Sequence, residues 1–236
     1  MLTDRQVNIL CTAVREYIRT GVPIGSEVLL TRARLPWSAA TVRAEFSELE
    51  DEGFLEHPHR SAGRVPTRRG YRYYVDRATE RTPFPAALAA LRRFDRPIEE
   101  RREAHFAHEL AQLLARLSGT LAVVATVEHG VHEAGLPNLF RMREVTDEET
   151  VTDIERVLHV MEDDLAELLN HMVEGKPTVF INGENPLAPA EHVSIVATAP
   201  TLPTGSFLFA ALVGPLRMSY PRNLRLLEAV HTLRSV

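Results

Sequence analysis

Cysteine is almost absent. Cys11 is the one thiol in 236 residues, which excludes an intrachain disulfide and any zinc or iron–sulfur site built on a cysteine cluster. Its place inside an apolar-periodic segment predicts a buried thiol. Lysine is as scarce: of 27 Lys+Arg only Lys176 is lysine, a bias that fits either genome composition or adaptation to heat. No run of about 18 apolar residues is available to span a bilayer. The N-terminus MLTDRQVNIL lacks a basic n-region and an uninterrupted apolar stretch, so no signal peptide is expected and the chain reads as cytoplasmic. Also missing are a Ser/His/Asp order, a phosphate-binding glycine loop and an HExxH motif, so no enzyme and no cofactor is expected.

What is present is ordinary globular composition, 44% hydrophobic and 25% charged, with length for two domains. The net charge of −5 is unevenly divided. Up to Asp76 there are 11 Arg against 10 Asp+Glu, about +1, and the remainder carries −6. Within the first part the acids gather at Glu45 to Glu56. Five arginines (Arg60, Arg64, Arg68, Arg69, Arg72) follow with no acid between them, which predicts separate faces of one small domain.

Thr3 to Gln6 has capping-box spacing, Val7, Leu10, Val14, Tyr17 and Ile18 share a helical face, and Gly21 offers a stop. Ser26 is placed to cap a second helix to about Ala33. A third runs from Ser38 to Gly53 with Ala39, Val42, Phe46 and Leu49 inward. Phe54 to Glu56 and Arg64 to Pro66 read as strands around the turn-rich HPHRSAG, and Thr67 caps a helix with Tyr71, Tyr74, Val75 and Ala78 on one side. This first domain closes near residue 80. A linker and helical connection is expected over 81–117, with helices at Leu88–Phe94 and Ile98–Leu117 and Pro97 in a first-turn position.

Beyond it lies an α+β domain, 118–236: a strand from Thr120, a helix opened by a capping box at Thr152 and lined by Ile154, Leu158, Met161, Leu165, Leu168 and Met172 up to Gly175, then strands at Thr178–Ile181, Val193–Ala199 and Phe207–Val213, and a helix from Pro221 to about Leu233. The strands imply a mostly antiparallel sheet.

Helix, helix, helix, hairpin is the order of a winged helix-turn-helix, whose third helix enters the major groove. Its outward residues here are Ala40, Thr41, Arg43, Ala44 and Ser47, small enough for a groove about 12 Å wide. Arg43 is the long donor, able to bond guanine O6 and N7, while Ser38 and Trp37 sit at the helix start where a phosphate can meet free N–H groups. The hairpin is then a wing on the backbone: His59, Arg60, Ser61, Arg64, Arg68 and Arg69 are the expected contacts, neutralising phosphates. Double-stranded DNA is the expected partner.

The stretch SAATVRAEFSELEDEGFLEHPHRSAGRVPTRRGYRYYVD resembles the winged-helix domain of the heat-inducible transcription repressors, the HrcA family. TDRQVNIL and EYIRTGVPIGSEVL extend that resemblance upstream, and GENPL at 183–187 and VGPLRMSYPR at 213–222 resemble the family's GAF-like second domain. The resemblance implies a winged helix followed by a GAF-like α+β regulatory and dimerisation domain. It implies a homodimer on an inverted-repeat CIRCE operator upstream of chaperone operons, released under heat stress as the chaperonin is titrated. Two departures stand out. Ala44 replaces the family's usual Asn, and Val123–Val127 leads almost directly to LPNLF at 136–140, where longer members insert a dimerisation domain. The Ile98–Leu117 helix and the second domain's sheet or helices are then the dimer candidates.

Two further constellations bear on regulation. His105 and His108 on a helix, with His129 and His132 near Glu128 and Glu133, raise a metal site; surface or hinge histidines are the plainer reading, and no metal is expected. Arg217, Tyr220 and Arg222 near a strand end are candidate lining for a regulatory pocket. They point to an alternative, a ligand- or metal-controlled winged-helix regulator not linked to heat. A GAF-like enzyme or sensor is a third reading.

Overall fold

Each half of the chain builds its own core in the computed structural model, dividing into Met1–Glu80 and Arg81–Val236. The structure describes all residues other than 60–61, 79–88, 92–102, 127–129, 143–144, 146, 164, 173–174, 186–189, 202–206 and 232–236.

In the first unit α1 (Asp4–Thr20) is held at both ends. Thr3 Oγ1 accepts from the Gln6 N–H while Gln6 Oε1 accepts from the Thr3 N–H, and Gly21 closes the helix at φ 66° with its N–H on Tyr17 O. A cap of this kind contributes about 1 kcal/mol. Ile9, Leu10, Ala13 and Val14 are its buried apolar residues; Val7, Tyr17 and Ile18 are half-buried, so the inward face is turned toward Ile9 and Ala13 from the expected one. α2 (Ser26–Ala33) is capped by Gly25, not Ser26, without a side-chain bond. α3 (Ala39–Asp51) is capped by Ser38 and buries Val42, Phe46 and Leu49. β1 (Leu55–Glu56) pairs antiparallel with β2 (Val65–Pro66), Leu55 opposite Pro66. α4 (Arg68–Ala78) starts under the Thr67 hydroxyl, which accepts from the Gly70 N–H, and buries Tyr71, Tyr74 and Val75 on α1. Burial raises the Tyr74 hydroxyl above its ordinary value and does the same to Cys11, half-buried on α1, against the lowering pull of Arg77 and Arg15.

The second unit is a five-stranded antiparallel sheet in the order β4-β3-β7-β6-β5: β3 Leu121–Thr126, β4 Gly130–Ala134, β5 Thr178–Ile181, β6 Val193–Thr198 and β7 Leu208–Pro215. β3, β6 and β7 are buried along their whole length because both faces are covered. On one face Val123, Ala125, Ile195, Phe209 and Val213 meet Ile154, Val157 and Met161 of α7 (Glu148–Asp163). The other face carries α5 (Glu103–Ser118) and α9 (Tyr220–His231). The short α6 (Leu136–Leu139) follows β4, and α8 (Leu165–Asn170) follows α7. Burying each Leu, Ile or Phe of such a core contributes roughly 1.5–3 kcal/mol.

Two expectations are corrected and one strand is new. α7 opens not at Thr152 but a turn earlier. Asp147 is its cap, accepting from Glu149 N–H, Thr150 N–H and Thr150 Oγ1 (2.8–3.0 Å), and these bonds, those from Thr150 foremost, hold its carboxyl below the ordinary range. Thr152 lies inside the helix with its hydroxyl on Glu148 O. β4 went unforeseen. And α5, expected in part as a connecting helix, packs on β3 and β4 with Leu110 and Leu114 fully buried, so its apolar stripe is already covered within this unit. The helix over 88–94 is described only at 89–91, and Pro97 lies outside the described residues.

Candidate nucleic-acid interface

α3 presents a clear division of faces. With Val42, Glu45, Phe46 and Leu49 buried, Ala40, Arg43, Ala44 and Ser47 are exposed and Thr41 is half-exposed. Ser38 Oγ accepts from the Thr41 N–H at 3.1 Å and lies 2.9 Å from Thr41 Oγ1, which fixes the first turn. Among the described residues Arg43 has no ion-pair partner.

The acids on α3 divide, Glu48 and Asp51 being exposed, Glu50 half-buried and Glu45 buried. Glu45 is 3% exposed and ion-paired with Arg5. Glu48 accepts from Gln6 Nε2 at 2.7 Å, so the TDRQ segment that caps α1 also clamps α3. Glu50 Oε1 accepts from His57 Nδ1 at 2.6 Å and Oε2 lies 3.0 Å from Arg64 Nη2. The Arg5 and Gln6 pairings were invisible in the sequence, since each spans 40 positions or more.

The arginines sort differently from expectation. Arg64 is turned inward, its side chain 16% exposed, paired with Glu50 and bonded to His57. A guanidinium so placed faces the protein, whereas the sequence pattern predicts it on the outer face of the hairpin. Arg69 is exposed, donating to Glu52 O at 2.6 Å with its carbon 4.3 Å from the Phe54 ring centroid. Arg68 and His59 are exposed, and Arg72 is half-buried with Asp76 at 3.4 Å. Arg60 and Ser61 lie outside the described residues.

Two glycines explain the motif by close approach. A Cβ on Gly63 would lie 2.5 Å from the Ile24 carbonyl carbon, and one on Gly70 2.2 Å from Phe54 O. Gly63 is where the hairpin backbone meets the turn before α2: Arg64 and Ile24 exchange two bonds, 2.9 and 3.0 Å.

The pocket expected from Arg217, Tyr220 and Arg222 does not form around Tyr220. That side chain is 0% exposed, its hydroxyl 2.7 Å from Ser194 Oγ and donating to Leu216 O, so it locks α9 to β6. Arg217 is half-buried and Arg222 exposed. An open groove of about 510 Å³ lies elsewhere, lined by Glu148, Glu149, Asp153, Arg156, Glu191 and His192. Three of its polar groups are already joined: Asp153 accepts from the His192 N–H and Nδ1 and from Arg156. The histidines do converge in part, the His108 and His132 rings lying 6.1 Å apart, with His105 beside Glu109. No group of three or more His, Cys, Asp or Glu is gathered to hold a metal among the described residues, and Glu128 and His129 lie outside them. Nor is any helix of the described residues long and apolar enough to cross a membrane.

Residues 85–224 match the HrcA protein C-terminal domain. The chain belongs to the HrcA family. The Heat-inducible transcription repressor HrcA of Clostridium perfringens is 51% identical over 80 residues, 34% of this chain and 24% of that protein. Its namesake from Chloroflexus aurantiacus is 36% identical over 143 residues, 60% of this chain and 36% of its own length. The matched part thus spans well under half of either HrcA relative. A crystal structure of a hypothetical protein at 2.2 Å resolution shares the fold, with a TM-score of 0.78 over 99% of this chain and 98% of its own at 20% identity.

Proposed function

We propose that the chain is a DNA-binding transcriptional repressor of the heat-shock type, with Met1–Glu80 acting as a winged helix-turn-helix and the second unit as a GAF-like regulatory and dimerisation domain. One observation carries this reading. α3 offers a narrow outward face of Ala40, Thr41, Arg43, Ala44 and Ser47, and the start of α4, tied to the end of α3 by Arg69 on Glu52 O, carries exposed cations. Side chains that small let the helix backbone approach base edges, and Arg43 alone is long enough for a bidentate guanine contact. Ser38, at the positive end of the helix, suits a phosphate. Arg68, Arg69 and His59 supply the backbone grip, a role the sequence pattern extends to Arg60 and Ser61.

Repression follows by occlusion. A two-fold dimer carries two such helices to half-sites one helical turn or a multiple apart, matching an inverted repeat of the CIRCE type. The names of the relatives support heat as the inducing signal; chaperonin titration is the route proposed for it. The test is fluorescence anisotropy on a labelled CIRCE-type inverted repeat and a scrambled duplex at several salt concentrations and two temperatures. A preference of about a thousandfold for the repeat, lost on warming, is expected. Equal, weak binding to both duplexes counts against the reading.

A further inference from the structure

Arg64 lies in the segment where the sequence concentrates positive charge, yet its side chain faces the protein. Nη2 is 3.0 Å from Glu50 Oε2, Nη1 is bonded to His57 Nε2, and the guanidinium carbon is 6.0 Å from the Phe46 ring centroid. Glu50 and Phe46 belong to α3, and His57 follows β1. The Arg64 backbone meanwhile exchanges two hydrogen bonds with Ile24, in the turn before α2. One residue therefore joins the turn, the hairpin and the helix.

His57 completes the link. Its Nδ1 donates to Glu50 Oε1 and its Nε2 accepts from Arg64, two places that a neutral imidazole fills at once. For the guanidinium to swing out to a phosphate, Glu50 Oε2 and His57 Nε2 would each lose a donor in a half-buried site, an outcome that unmade hydrogen bonds make unfavourable. Gly63, the residue before it, allows no side chain between the hairpin and Ile24, so the segment has one seat.

We infer that Arg64 is a positioning residue for DNA recognition: it ties the hairpin to α3 through Glu50 and His57 and does not itself hold a phosphate. The inference rests on the DNA-binding reading above and changes what the hairpin's cations do. The wing's aim relative to α3 is set by an internal ion pair, and the phosphate contacts fall to Arg68 and Arg69. Loss of Arg64 then weakens binding by loosening the wing, with no phosphate contact removed.

The test uses the full chain, with Arg64→Ala, Arg68→Ala and the charge-swapped pair Glu50→Arg/Arg64→Glu. Amide hydrogen exchange reads the tie without DNA. Arg64→Ala is expected to speed exchange at Ile24 and over 64–67 while amides of the α1 core keep their rates, and the swapped pair is expected to restore protection. Anisotropy on the CIRCE-type repeat reads the role. Arg64→Ala lowers affinity at an unchanged slope of log K against log salt, whereas Arg68→Ala reduces that slope by about 0.9. Unchanged hairpin exchange in Arg64→Ala, a slope reduced by about 0.9 in that variant, or failure of the swapped pair to restore protection each overturns the inference. A wild-type chain that leaves both duplexes unbound overturns the DNA reading, and the exchange data then still decide the tie.

Discussion

Gly63 shows at the scale of one residue why a short motif tolerates little change. Its hydrogen stands where a Cβ would be 2.5–2.8 Å from three backbone atoms of Ile24 and Gly25, and backbone cannot give way as a side-chain tip can. Gly63→Ala is expected to cost about 1–3 kcal/mol, as overpacking does, with the loss measured by urea unfolding. Gly25→Ala is the contrast: open space surrounds that position, so only the weaker helix cap is lost, under about 1 kcal/mol. Cys11 carries a second residue-scale expectation. Because burial raises its thiol, the reactive thiolate is scarce at neutral pH, and alkylation by iodoacetamide should run slower than in the urea-unfolded chain. The native rate should climb only above the ordinary cysteine range. A native rate equal to the unfolded one contradicts this.

Among the elements, α7 gives the clearest dependence on pH. Asp147 titrates below its ordinary value in the folded chain, so its contribution is complete above that value and is lost as pH falls through the folded one. The stability gap between wild type and Asp147→Ala, followed by thermal melting, should therefore narrow below about pH 3.9. A gap that stays constant from neutral to acid pH sinks the capping account. The cap also shows where sequence reading stops. TDEETVTDIE holds two cap-like signals, and the earlier prevails because Thr150 reaches Asp147 with both N–H and hydroxyl. Long amphipathic helices and the fully buried strands were legible, since periodicity and apolar runs are local. β4, GVHEA, was not: an edge strand half open to solvent needs no apolar alternation, and only its pairing with β3 shows it. The α3 face was legible from spacing alone. The inward turn of Arg64 was not, since Glu50 and His57 come to it through the fold.

For the whole molecule the question is how a chain of net charge −5 would bind a polyanion, as the proposed function requires. The acids of α3 answer it in part, because Glu45 and Glu50 are each paired with an arginine within the first unit and do not oppose Arg43 as free charge. Arg43→Ala is expected to relax discrimination at one base pair per half-site by about 1–3 kcal/mol, read by competition among operator variants. Uniform weakening on all duplexes would make Arg43 a backbone contact instead. The central claim, that this face of α3 with the start of α4 is what meets DNA, is met most directly by titrating the 15N-labelled chain with a CIRCE-type duplex and following amide shifts. The account predicts shifts concentrated at Ser38–Ser47 and His59–Arg69. Shifts that leave those residues still and fall instead around the Glu149–His192 groove contradict it.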